Sequence, residues 1–181
     1  MLSEKINRLK NMIFNDQLAW SRQSGVPFIL VAINESEQLY LLPKLEDIQQ
    51  DGQTQGYQVI IVNIEELLYQ LLLEDENGDL TEIYEFEKEH YPEFLEEIQN
   101  TMLKLLYEWI IKKAEQLGIN GRILFTRVGS TATHLRFIQL LSKLENKILI
   151  PLCFFVPGTV SSTKFIMLDD IDISGSRAFY L

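Results

Sequence analysis

Phe28-Ile29-Leu30-Val31-Ala32-Ile33 is a run of six apolar residues, of strand length, with no polar residue inside it. A strand with one wet face alternates apolar and polar side chains. An unbroken apolar run is instead buried on both faces, as in a parallel sheet covered by helices. Val59-Ile60-Ile61-Val62 repeats the signal, as does Ile123-Leu124-Phe125-Thr126. The stretch from Ile148 to Val156 does so too, and Pro157-Gly158 is expected to close it. Phe165 to Leu168 and Ala178 to Leu181 are further short strand candidates.

Helical periodicity fills the intervals. Ser3 to Ser24 carries a stripe of Ile6, Leu9, Ile13, Leu18 and Trp20, stopped by Gly25 and Pro27. Tyr40 to Gln50 reads as a short helix, with Gly52 to Gly56 a polar turn after it. Asn63, with Glu66 at the capping-box position, opens a helix that breaks at Asn77-Gly78. Two acidic helices follow, Leu80 to Tyr91 and Pro92 to about Gln116, with Gly118 as the stop. Leu135, Ile138, Leu141 and Leu144 mark the last helix. This order predicts an α/β fold, a mostly parallel sheet with helices on both faces, of Rossmann-like or degenerate P-loop-like three-layer type. It is expected to form a single domain over 1–181, with an acidic helical insertion at about 75–117.

The chain has 181 residues, 46% of them hydrophobic and 23% charged, enough apolar material for a core without staples. No apolar stretch is long enough to span a bilayer, and the amphipathic N-terminus lacks the apolar region of a secretory signal. The single cysteine, Cys153, sits in an apolar run, which fits a reducing, cytoplasmic compartment. The formal net charge of -10 argues against direct association with nucleic acid, which needs cations to replace phosphate counterions. Carboxylates crowd Glu74 to Glu97, where Lys88 is the one strong base. The face carrying Glu82, Glu89, Glu93 and Glu96 is expected to dock a basic partner or to screen against DNA.

Gly129-Ser130-Thr131 follows a buried strand and is expected to open a helix, the place where a phosphate would sit in an open α/β sheet. No lysine follows as the Walker pattern requires, and there is no G-x-G-x-x-G, so a turn with a capping residue is the plainer reading. Asp75-Glu76-Asn77-Gly78-Asp79 does not keep calcium-loop spacing, since Phe86 falls where the bidentate glutamate belongs. Asp169, Asp170 and Asp172 cluster near a strand end without the third distant acid or Glu-x-Lys pair of a nuclease. His90 and His134 stand apart from one another and from any spaced cysteines, and an apolar strand opposes a Cys153 thiolate. No catalytic constellation, metal site or cofactor site can be assembled from these residues.

The last third carries a resemblance. Ile123-Leu124-Phe125-Thr126-Arg127-Val128-Gly129, then Leu135-Arg136-Phe137 through Leu144, then Ile150-Pro151-Leu152-Cys153-Phe154-Phe155-Val156-Pro157-Gly158, then Ser176-Arg177-Ala178-Phe179-Tyr180-Leu181 resemble the BrxB family of bacterial BREX phage-defence systems. Ala132-Thr133 stands where the family has an aromatic-proline pair, and Ile33-Asn34 where it has an arginine. The resemblance implies phage restriction through complexes with other BREX proteins, including a PglZ-like phosphatase-fold component. It implies no enzymatic activity of the chain's own. It singles out Gly129, Arg136, Pro157, Gly158 and Arg177 as partner- or phosphate-binding candidates, beside Ser130 and Thr131. Two functions are therefore weighed: a noncatalytic partner-binding subunit, and a nucleotide- or nucleic-acid-binding α/β domain using the Gly-Ser-Thr turn and arginines. Arg136 and Arg177 are expected to approach one strand-end region, with Asp169 or Asp170 as their structural partners. A concave arginine cluster there favours the second function; a flat or plugged surface favours the first.

Overall fold

The computed structural model describes residues 1–15, 25–76, 79–161, 164–168, 170–175 and 177–181. Its elements are α1 (Leu2–Phe14), β1 (Phe28–Ile33), α2 (Glu35–Gln38), α3 (Leu41–Thr54), β2 (Gln58–Asn63), α4 (Ile64–Asp75), α5 (Thr81–Glu89) and α6 (Tyr91–Leu117). After a 3-10 turn follow β3 (Gly121–Thr126), a second 3-10 turn (Val128–Thr131), α7 (Phe137–Leu144), β4 (Leu152–Val160), β5 (Phe165–Met167), β6 (Ile171–Asp172) and β7 (Phe179–Tyr180). The strands order as β2-β3-β4-β1-β7, and every neighbouring pair along that path is parallel. The chain is thus α/β, with a mostly parallel sheet.

The apolar run that decides the fold divides its side chains between two layers. Phe28, Leu30 and Ala32 face the larger core, with α4, α6 and α7; Ile29, Val31 and Ile33 face the core under α1 and α3. All six are buried, and each of the five larger than Ala32 contributes roughly 1.5–3 kcal/mol on removal from water. β4 repeats the division, with Leu152, Phe154 and Val156 on one side and Cys153 and Phe155 on the other. Phe125 and Phe154 stack with centroids 4.7 Å apart, and Phe137 meets Phe154 edge-on at 5.1 Å.

Several boundaries differ from the sequence reading. The helix expected over Ser3 to Ser24 is described only as far as Phe14, because 16–24 lie outside the described residues, as do Asn77-Gly78. Gly52 is not in a turn but is buried in the last turn of α3. β4 begins at Leu152 rather than Ile148, and it runs through Pro157-Gly158 to Val160 instead of closing there. The reason is positional. Ile33, the last residue of β1, pairs with Pro157, so no ladder donor is needed there and a residue without an N–H fits. Beyond it Gly158, Thr159 and Val160 pair antiparallel with Met167, Ile166 and Phe165. The C-terminal segment forms β7 beside β1, and Leu181 extends it, donating to the Leu30 carbonyl and accepting from the Ala32 N–H.

A third, smaller core lies among α4, α5 and α6. Leu72, Phe94 and Ile98 are buried there, with Ile83, Phe86 and Leu95 packed around them. Among the described residues no helix is long and apolar enough to cross a membrane.

Candidate functional site

In this sheet the connection after β1 passes over one face, through α3, while those after β2 and β3 pass over the other, through α4 and α7. Where connections diverge, the carboxyl ends of the strands open a crevice, the usual ligand site of open α/β sheets. Here that place lies between β4 and β1, where β4 runs past the end of β1 into its hairpin with β5. Phe165, Met167 and Ile173 carry the hairpin into the larger core, each at most 2% exposed.

Five candidate residues meet at this hairpin. Arg127 follows β3 in the left-handed region (φ 61°, ψ 26°) and turns the chain into Val128–Thr131. The Ser130 hydroxyl donates to the Arg127 carbonyl at 2.7 Å, and the buried Thr131 hydroxyl to the Val128 carbonyl at 3.0 Å. Both hydroxyl protons are therefore spent inside the turn. Gly129 lies so close to Pro157 that an added Cβ would stand 2.3 Å from the proline Cγ. At Gly158 the Cβ would stand 2.1 Å from the Ile166 carbonyl oxygen across the hairpin. Leu168 donates its N–H to the Pro157 carbonyl at 2.9 Å and takes φ 50°, unfavourable for a bulky side chain. Two strained, exposed, non-glycine residues thus flank the mouth. Neither was singled out as a site residue from sequence, because left-handed backbone at arginine or leucine has no compositional signal.

The turn does not open a helix. α7 begins only at Phe137, with Arg136 as its N-cap, so His134 lies in the loop before it. Arg136 Nε donates to Gln99 Oε1 at 2.9 Å and Nη1 to Asn100 Oδ1 at 3.4 Å, while Gln99 Nε2 donates to the Thr133 carbonyl at 2.8 Å. The guanidinium is held by neutral amides of α6. Arg177 is elsewhere. It pairs with Glu145, the C-cap of α7, at 3.6 Å, beside Gly25 ahead of β1. The two arginines stand at opposite ends of α7, about 12 Å of helix apart, and do not share a site. Neither has Asp170 within 4.0 Å among the described residues; Asp169 lies outside them.

Two of the helix N-termini, those of α4 and α2, are capped by side chains. Asn63 caps α4, accepting from the N–H groups of Glu65 and Glu66, whose carboxylates sit in its first turn. Asn34 and Glu37 form a reciprocal capping box at α2. Burial pushes the Glu37 carboxyl up, but hydrogen bonds from Lys5 (2.8 Å) and the Asn34 N–H, with the Lys5 charge, outweigh it and hold the group below its ordinary value.

Among the described residues no three His, Cys, Asp or Glu side chains group as metal ligands would. Cys153 is fully buried, and burial pushes its thiol far up, against thiolate chemistry; the Arg122 charge opposes this only in part. Arg122 itself is 2% exposed. Its Nε donates to the Ile13 carbonyl at 2.7 Å, its Nη1 to those of Gly121 and Ile119 at 2.7 and 3.1 Å, and its guanidinium lies 4.3 Å from the Tyr57 ring centroid. It ties the end of α1 to the sheet.

On α5 and α6, Glu89, Glu93 and Glu96 are exposed, whereas the Glu82 side chain lies outside the described ones. Glu74 to Glu97 holds eleven carboxylates and one lysine; the rest of the chain holds fifteen of each sign, so the whole net charge of -10 sits in this segment. No carboxylate of the segment forms an ion pair within 4.0 Å among the described residues.

A family model described as BREX protein BrxB matches residues 60–181, from β2 to the last residue. No curated protein and no solved structure matches the chain.

Proposed function

The chain belongs to the BrxB family of BREX proteins, a component of phage defence associated with other BREX proteins, and from that premise we propose that it is a noncatalytic, partner-binding subunit of a cytoplasmic defence complex. The observation that carries this reading is that the turn hydroxyls and the α4 N-terminus at the strand ends are already engaged. A nucleotide site needs an open strand-end cleft, free N–H groups and available hydroxyls. β4 continues past the end of β1 into its hairpin with β5, Asn63 and two carboxylates occupy the α4 N-terminus, and Ser130 and Thr131 donate within their own turn. What remains outward is protein-docking surface: Arg127, Leu168 and the half-buried Arg136 at the mouth, and the acidic helices beside them. A PglZ-like phosphatase-fold component is the partner proposed for it.

Affinity capture from a bacterial host carrying the complete BREX system, read by mass spectrometry, tests the reading. Wild-type chain is expected to bring down BREX proteins, the PglZ-like component among them, and Arg136→Ala to lose them at an unchanged melting temperature. Capture of no BREX protein by the wild type overturns the partner-binding role. Metal-dependent DNA cleavage or ATP hydrolysis by the isolated chain, abolished by Asp170→Ala, overturns the noncatalytic one.

A further inference from the structure

We infer that α5 and the first turns of α6 form a charge-strained unit that opens without unfolding of the sheet, and that its closure holds the loop before α7 in place. α5 is nine residues long and, among its described side chains, buries none fully. α7, with eight residues, buries Phe137, Leu140, Leu141 and Leu144. A helix this short does not stand in water without packing, and here the packing is the small core around Phe94 and Ile98. α6 has no side-chain hydrogen bond at its N-cap, and at the start of α5 only Asp79 accepts, from the Thr81 N–H and hydroxyl.

Charge opposes the closed state. Glu85 and Glu89, and Glu93 and Glu97, are exposed like charges at i,i+4 spacing, which destabilises a helix. The segment has no ion pair of its own among the described residues to offset the repulsion. Regions with little buried apolar contact open locally at free energies below the global one. Screening of the carboxylates by salt, or their pairing with a cationic surface, favours the closed form.

The joint lies where α6 passes from the small core to the large one, between Ile98 and Leu103. There Gln99 bonds both the Thr133 carbonyl and Arg136, and Asn100 bonds Arg136 again. When the first turns of α6 open, these anchors loosen and the loop from Thr133 to Arg136 is released. The inference stands whether or not a partner docks on the acidic face.

Hydrogen exchange of the full chain, read by mass spectrometry in about 20 mM and about 500 mM NaCl, tests both parts. In low salt the amides of 81–98 are expected to exchange at least about tenfold faster than those of β3 and β4. High salt is expected to slow them several-fold while β3 and β4 keep their rates, with 133–136 following 81–98. Combined Glu85→Gln, Glu89→Gln, Glu93→Gln and Glu97→Gln should reduce the salt response at least by half. Gln99→Ala combined with Asn100→Ala should detach 133–136 from it and leave 81–98 unchanged. Exchange of 81–98 at the rate of β3 and β4, or with no salt response, overturns the independent unit. A wild-type loop at 133–136 that ignores salt overturns the positioning role.

Discussion

A guanidinium in an apolar layer must satisfy its N–H groups, and Arg122 does so with the main-chain carbonyls of Ile13, Ile119 and Gly121. Arg122→Met keeps much of the volume and leaves buried acceptors without donors, at about 1–3 kcal/mol for each unmet group. Calorimetry should show a melting temperature lower by about 6–12 °C, taking roughly 3 kcal/mol in a domain of this size. Arg177, 61% exposed on its ion pair, should give almost nothing as Arg177→Ala, within about 0.5 kcal/mol. Glu37 sets a pH dependence. Its folded pKa lies below the ordinary 4.5, so its stabilisation is present above that value and is lost as pH falls through the folded pKa. Glu37→Gln should flatten the acid limb of a melting-temperature profile below about pH 5 and leave its neutral limb unchanged in slope; an identical acid limb would remove the Lys5 contact as its source. In sequence Arg122 was one base among seven between Arg122 and Arg177. Its burial is encoded only in its phase on β3, two residues before Leu124 on the face toward α1 and α3.

At the scale of elements, strands with both faces buried announce themselves, because burial on two sides demands an unbroken apolar run. β1 stood in the sequence at its true bounds, and β2 and β3 within two residues of theirs. β4 did not. Ile148 and Ile150 are as apolar as the strand and are buried, yet they lie ahead of it, since burial alone does not distinguish loop from ladder. The hairpin beyond Pro157 was hidden because a Pro-Gly pair ordinarily ends a strand, and only the end of β1 at Ile33 makes the continuation possible. The expected helix opening at Gly129-Ser130-Thr131 failed for a related reason: both hydroxyls close a 3-10 turn instead. That geometry orders three substitutions. Gly158→Ala meets a carbonyl of the paired strand, which cannot yield cheaply, and Gly129→Ala meets a proline ring. Urea denaturation should give the larger loss for Gly158→Ala, about 3 kcal/mol, about 1–3 for Gly129→Ala, and less than either for the exposed Ser130→Ala. Equal midpoints for Gly158→Ala and wild type would mean the hairpin does not pair as described.

For the whole molecule, the decisive asymmetry is electrostatic. All of the net charge lies between Glu74 and Glu97, and the remaining surface averages to neutral. This much was legible in sequence, because charge needs no fold to be counted. What the fold adds is placement: the carboxylates lie between the end of α4 and the first turns of α6, around a small core, with Glu89, Glu93 and Glu96 outward. A surface of one sign, set on one part of an otherwise neutral body, orients an approaching cationic partner and raises its encounter rate more than its residence time. At an ionic strength of about 0.15 M the field is screened within about 8 Å, and at about 1 M within about 3 Å. Reversal of the exposed carboxylates, as Glu89→Lys, Glu93→Lys and Glu96→Lys combined, should therefore slow association with a BREX partner by about tenfold or more in low salt. Its effect on dissociation should be small, and the difference from wild type should fade as salt rises. Surface plasmon resonance over a series of NaCl concentrations separates the two rates. A variant whose dissociation accelerates equally at every salt concentration would place these carboxylates inside the bound interface, in direct pairs, and an unchanged association rate in low salt would leave the acidic face without a steering role.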